Sequence, residues 1–169
     1  PRNIMISGVN AGGKSTRMKA VTLCCIFGQV FGIAPARSFS FTPFHLISTY
    51  LNITDDVSKR QSLFLAEMAR AQTLLNNVKA LPQNQFSFTL LDEVCTGTEP
   101  LEGAGLSFAI SKKLGMYPNN ILLLASHFPG LTELATKRAD LYKNMKVVVE
   151  KDEEGEFVYP YGLYEGISN

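Results

Sequence analysis

The residues Gly8-Val9-Asn10-Ala11-Gly12-Gly13-Lys14-Ser15-Thr16 carry the spacing G-x-x-x-x-G-K-S. That spacing suits one piece of chemistry, the capture of a nucleoside triphosphate by a phosphate loop, or P-loop. Several negative charges can be held by a loop only if backbone N–H groups converge on them. Gly8, Gly12 and Gly13 allow the tight, partly left-handed backbone that this requires. A helix beginning at Lys14 aims its positive end at the same phosphates. Lys14 reaches the β- and γ-phosphates as a point charge, and the Ser15 hydroxyl is placed to ligate Mg²⁺. Gly8 through Thr16 are therefore the expected ATP contacts, with ATP and Mg²⁺ the expected ligands.

A second group of chemically capable residues lies far along the chain. Gln85–Leu91 is a β-prone run that ends in the adjacent carboxylates Asp92 and Glu93, the form of a Walker B strand. Alone, such a pair reads equally well as a solvated acidic turn. Downstream of a phosphate loop, the strand end emerges beside the metal. Asp92 would then hold Mg²⁺ through a water, and Glu93 would polarise the attacking water. The apolar run Ile121–Ala125 delivers Ser126 and His127 to the same edge, where ligands sit in open α/β sheets. His127 is expected to meet the γ-phosphate as donor or sensor, whereas His45, in an apolar segment, reads as structural. Lys14, Glu93 and His127 are thus the catalytic candidates, and Ser15 and Asp92 the metal ligands.

These groups need elements to position them. Ile4–Ile6 is a short apolar run suited to a buried strand, and Met18–Phe31 is long enough for a helix, with Pro35 as its stop. Ser38–Thr42 suits an edge strand or an extended segment, and Phe44–Leu51 a strand. Asn52–Gln61 is polar, and Ser58-Lys59-Arg60-Gln61 fits a capping box. Apolar positions from Leu63 to Val78 then recur at helical spacing until Pro82. Leu101–Leu114 reads as a helix whose Gly103, Ala104 and Gly105 permit close backbone approach, with Gly115 as its C-cap. Leu131–Arg138 is a short helix. Met145–Val149 and Glu156–Tyr161, joined by the charged turn 151–155, read as a β-hairpin. Strands alternating with helices place the chain in the α/β class, as one P-loop domain over residues 1–169 with a C-terminal hairpin.

Composition sets the bounds. The 169 residues are 46% hydrophobic, with 13 glycines and 8 prolines, enough for one globular core. Sixteen basic and 15 acidic residues leave a net charge of +1, which argues against this segment as a main nucleic-acid-binding surface. Val21–Ala36 is interrupted by Gly28, Gln29 and Gly32, so no run is expected to span a bilayer. A start without Met, directly in a strand and without a signal peptide, reads as a segment of a longer protein. Cys24, Cys25 and Cys95 lack metal-ligand spacing and read as free thiols in a reducing compartment.

With these pieces in place, nearly the whole chain resembles the ATPase domain of the MutS family of DNA mismatch-repair proteins. The resemblance rests on Ile6–Thr16, Asp55–Met68, Leu90–Thr98 and Ala125–Phe128, and Tyr161–Gly166 looks like the family's strand leading to its last helices. It implies an ABC-ATPase-like mixed sheet flanked by helices, and a dimer that sandwiches nucleotide, with a second copy or a paralogous MutS-like subunit as partner. It implies that Ser62 reaches the nucleotide held by the opposite subunit; the alternative for Ser62 is a plain helix cap. DNA would be reached through other domains of the parent protein, on the nucleoid in a bacterial cytoplasm or in a eukaryotic nucleus. The chain departs from the family's usual residues at Gln61 and Leu63, and it has Cys95-Thr96-Gly97-Thr98 where Gly-Arg-Gly-Thr is usual. Gly97–Gly103 looks closer to the recombination-suppressing relatives. The expected function is ATP turnover that switches the clamp state of the parent protein. The alternatives are a related ATPase acting on recombination intermediates, or a nucleotide-gated dimerisation module without significant hydrolysis. An ABC or chromosome-maintenance ATPase would carry an L-S-G-G-Q-like signature, which Ser58–Phe64 does not match. A small-molecule kinase would need an arginine-rich lid, and no arginine cluster follows Glu93.

Overall fold

A chain that alternates apolar strands with helices can bury its strands on both faces only by laying them parallel and crossing over between them. The computed structural model describes residues 2–9, 12–51, 63–152, 154–158, 160 and 162–168. In order these form β1 (Asn3–Ser7), α1 (Lys14–Phe31), β2 (Leu46–Tyr50), α2 (Leu63–Ala80), β3 (Ser87–Asp92), α3 (Pro100–Met116) and β4 (Asn120–Ala125). A 3₁₀ turn (Pro129–Thr132) runs into α4 (Glu133–Lys137), followed by β5 (Tyr142–Val147), β6 (Glu150–Lys151), β7 (Phe157–Val158) and β8 (Leu163–Glu165).

The main sheet has the order β2-β3-β4-β1-β5-β8. The first five strands are parallel, and β8 is antiparallel to β5. This is the expected mixed sheet flanked by helices. The chain leaves β1 for the far edge and then works back past it, so right-handed crossovers place α1 on one face and α2, α3 and α4 on the other. Alternate strand residues feed the two cores. Met5, Leu91, Leu122 and Leu124 pack with Leu74, Val78, Ile110 and Leu114 under α2 and α3. Ile6, Leu90, Leu123 and Val147 pack with Met18 of α1 on the opposite face.

Five local expectations change. α1 ends at Phe31, as expected, but its stop is Gly32, left-handed at φ 68, and not Pro35. Among the described residues Ser38–Thr42 pairs with no strand, so of the edge strand and the extended segment only the second is left. It crosses α1 instead, with Phe41 packed against Gly28 and with the Gln29 amide bonded to both the N–H and the carbonyl of Phe44. Gly115 is not a cap: α3 runs through it to Met116, and a Cβ there would meet the Tyr142 hydroxyl. Close packing therefore requires this glycine, and only the three-dimensional fold supplies the reason. Gly103 does receive a close neighbour, the Cys95 carbonyl, but Gly105 faces open space. Finally, Tyr142–Val147 pairs with β1 and β8 in the main sheet, leaving a hairpin of two-residue arms, β6 and β7. The side chain of His45 is structural, as expected, accepting the Phe86 N–H at Nδ1.

Candidate functional site

Parallel strands bring all their C-terminal ends to one edge. Ser7, Asp92 and Ala125 end β1, β3 and β4 there. β4 lies between β1 and β3, with Asp92 in register with Ala125 and Ala125 with Ile6. The loop after β1 and the acidic pair after β3 are thus two strand spacings apart, about 10 Å. The crevice beside β1 is the point where the strand order reverses, the usual ligand position in such sheets.

The loop itself is built on glycine. Gly8 has φ 142 and Gly13 φ 84, and a Cβ on Gly8 or Gly12 would run into Val147. β5 therefore sets the floor under the loop. Gly13 caps α1 without a side-chain hydrogen bond, and the first turn of α1 carries no acidic residue. Its leading amides are left for an anion. Lys14 is only 5% exposed. Its Nζ donates to the carbonyls of Gly8 at 2.7 Å and Val9 at 2.9 Å. Burial lowers its pKa from the ordinary lysine value, opposed by the charges of Glu93 and Asp92. Ser15 follows it, half-buried, on the same first turn, and Thr16 is exposed.

The two carboxylates differ in environment. Asp92 is buried, and its Oδ1 has no hydrogen-bond partner among the described residues. An orphaned carboxylate oxygen is costly unless a cation or a donor meets it. Asp92 and Ser15 are oxygen donors of the kind Mg²⁺ takes, so these residues fit the metal. Among the described residues no cluster of three or more His, Cys, Asp or Glu side chains could hold a metal ion. Mg²⁺ needs only one or two protein oxygens, with phosphate and water completing its shell. Glu93 is half-exposed and left-handed at φ 51, with its N–H still donating to Ala125 O at 3.0 Å. The sheet ladder thus runs one residue past the strand before the backbone turns its carboxylate out.

His127 is exposed and lies against Phe128, with ring centroids 4.4 Å apart and the rings tilted by 44°. The turn is fixed by Phe128 N–H donating to Ser126 Oγ at 3.0 Å. With Ser7, Gly8 and Val9, His127 lines a cleft of about 260 Å³, closed on one side by Ile167 and Ser168. The structure therefore brings Gly8, Val9, Lys14, Asp92, Glu93 and His127 to one edge. Asn10, Ala11 and Ser62 lie outside the described residues. Sequence reasoning missed Val147 and the Ser7–Ser168 contact, in which Ser168 N–H donates to Ser7 Oγ at 2.9 Å. Both depend on strands distant in sequence, so no local signal marked them.

Among the described residues, no helix is long and apolar enough to cross a membrane. The chain is 34% identical over 162 residues to a DNA mismatch repair protein MutS of Leuconostoc mesenteroides, and 32% identical over 150 residues to that of Alkaliphilus metalliredigens. These alignments cover 96% and 89% of this chain but only 18% and 16% of the relatives. The chain thus spans less than a fifth of the length of the curated relatives it matches. A family model described as MutS domain V matches residues 4–169, and the chain belongs to that family.

Proposed function

We propose that this domain binds and hydrolyses ATP with Mg²⁺, as the nucleotide-driven part of a MutS-like DNA mismatch repair protein. The observation that carries the reading is the buried, partnerless Asp92 Oδ1 at the same sheet edge as buried Lys14, whose charge Asp92 and Glu93 both sustain. The loop amides and Lys14 hold the phosphates, including Asn10 and Ala11. Ser15 and Asp92 hold Mg²⁺, which when bound neutralises charge on the phosphate oxygens. Glu93 takes a proton from the attacking water as it meets the γ-phosphorus, and His127 donates to a γ-phosphate oxygen. Ser62 completes the site of a partner domain, in a homodimer or with a paralogous subunit. Turnover then biases the clamp state of the parent protein on DNA, in a bacterial cytoplasm or a eukaryotic nucleus.

The test is ATP hydrolysis measured against protein concentration, for the chain, Glu93→Gln and Ser62→Ala. We expect a rate per domain that climbs with concentration and falls about 10²-fold or more in Glu93→Gln. ATP binding should survive in that variant. Ser62→Ala should flatten the concentration dependence. A rate indifferent to Glu93 would overturn hydrolysis at this site, and one independent of concentration and of Ser62 would overturn the shared site. A departure in sequence sustains the second reading, a dimerisation module without turnover: Cys95 and Thr96 stand where Gly-Arg is usual. Tight ATP-dependent dimerisation with no release of phosphate would favour it.

A further inference from the structure

Glycine gives the loop its shape but nothing to hold it by. Glycine stands at positions 8, 12 and 13, and it loses more backbone freedom on ordering than any other residue type. It also brings no side chain with which the loop could pack itself. Ordering the loop at the moment of binding would subtract from affinity, so a loop that binds well is held beforehand by its surroundings. The holding group must come from another element.

That element is β5. Its pairing with β1 ends at Lys146, opposite Ser7, and the next residue, Val147, extends beneath the start of the loop. On its other side Val147 pairs with Leu163 of β8. It is 1% exposed and packs with Ile6, Met18, Leu90 and Leu123. Its Cγ2 methyl lies in the space that two glycines leave. A Cβ on Gly8 would run into it, and one on Gly12 would come within 2.9 Å of it. A Cβ on Gly8 would also lie 2.9 Å from the Val147 carbonyl, so backbone rests on backbone at the first glycine. Gly12 N–H in turn donates to the Val9 carbonyl at 3.2 Å, and α1 begins two residues on, at Lys14. One methyl is thus packed against both ends of the loop, where the chain leaves β1 and where it enters α1. Branching at Cβ restricts the valine side chain, which gives that methyl a fixed place.

We propose that Val147 is a positioning residue for phosphate capture: its side chain sets the spacing of Gly8 and Gly12 and so shapes the loop before a triphosphate arrives; this rests on the loop as the triphosphate site. Val147 bears on the loop and not on the reacting atoms. It therefore strengthens binding equally in the ground state and the transition state, and its truncation raises KM while leaving kcat.

The test compares the full chain with Val147→Ala, Val147→Thr and Ile47→Ala, all below the melting temperature of the least stable variant. Melting temperature, affinity for ATP with Mg²⁺, KM and kcat are measured. Ile47 packs against the same cluster from β2, at the far edge of the sheet. We expect Val147→Ala to weaken ATP binding and raise KM about tenfold, with kcat within about twofold of the parent. Val147→Thr keeps the branched shape but buries a hydroxyl, so it should lower the melting temperature while ATP affinity stays within about threefold. Ile47→Ala should lose stability with no change in affinity. ATP affinity unchanged in Val147→Ala overturns the proposal, as does a loss of affinity that follows melting temperature across all three variants. If the parent chain itself binds no ATP, the triphosphate reading has failed instead, and amide exchange then decides whether Val147 seats the loop. Gly12 N–H should exchange about tenfold faster in Val147→Ala than in the parent or Ile47→Ala; equal exchange overturns it.

Discussion

A buried carboxyl leaves a trace in how stability follows pH. The folded-state pKa of Glu67 lies above its ordinary value, first because of burial. The folded chain therefore binds that proton more tightly than the unfolded chain does, so Glu67 favours folding most below its unfolded pKa and loses that contribution as pH rises through the folded pKa. Glu67→Gln, which stays neutral, should melt above the parent at pH 7, with the gap closing as pH falls towards the ordinary glutamate value. Thermal melts across that range check it, and a gap constant with pH would sink it. At this scale the sequence was legible wherever a residue type answers to local backbone. Gly8 and Gly13 do have positive φ, as a phosphate loop requires. The burial of Glu67 was not legible, because helical spacing marks the apolar positions around it and says nothing of a carboxyl among them.

Elements here are stapled by amide side chains as much as by packing. Asn120 at the start of β4 is fully buried. It accepts from Ser87 Oγ at 2.8 Å and Thr89 Oγ1 at 2.9 Å, and donates to the Leu114 carbonyl at 3.1 Å. Asn3 makes the matching join from β1, donating to the Gly115 carbonyl at 3.0 Å and accepting from Leu122 N–H at 3.1 Å. Together they pin the end of α3 to the sheet at the edge opposite the site. Asn120→Leu strands several buried polar atoms, and denaturant unfolding should register a loss of about 2–4 kcal/mol. Gly115→Ala acts on the same junction by overpacking, because its Cβ would lie 2.0 Å from the Tyr142 hydroxyl. It should cost about 1–3 kcal/mol. Strand and helix identities were legible because short apolar runs mark strands covered on both faces and a 3.6-residue period marks α2. Gly115 misread as a cap, and the hairpin arm at Met145 that belongs to β5, share one cause. Their partners, Tyr142 and β1, are far away in sequence.

Seen as a whole molecule, the two faces of the sheet are unequally covered. Among the described residues, α2, α3 and α4 cover one face and α1 the other, and α1 turns Val30 and Phe31, each 65% exposed, to solvent with Ile33 just beyond its end. An apolar patch of this kind promotes association. Val30→Lys with Phe31→Glu should raise the solubility limit while leaving the melting temperature within about 2 °C, since exposed positions contribute little to the core. Unequal cover was not legible from α1, whose apolar residues run all round it. The three free thiols divide in a related way, Cys24 half-buried and Cys25 and Cys95 buried. Burial pushes the Cys95 thiol up to about 11, so in the closed molecule it is nearly inert to alkylating reagents. Cys95 is thus a stopwatch wired into the acidic loop. Any opening would expose the sulfur for as long as the loop stays displaced, and the slow step of a mass-resolved alkylation trace would time such openings.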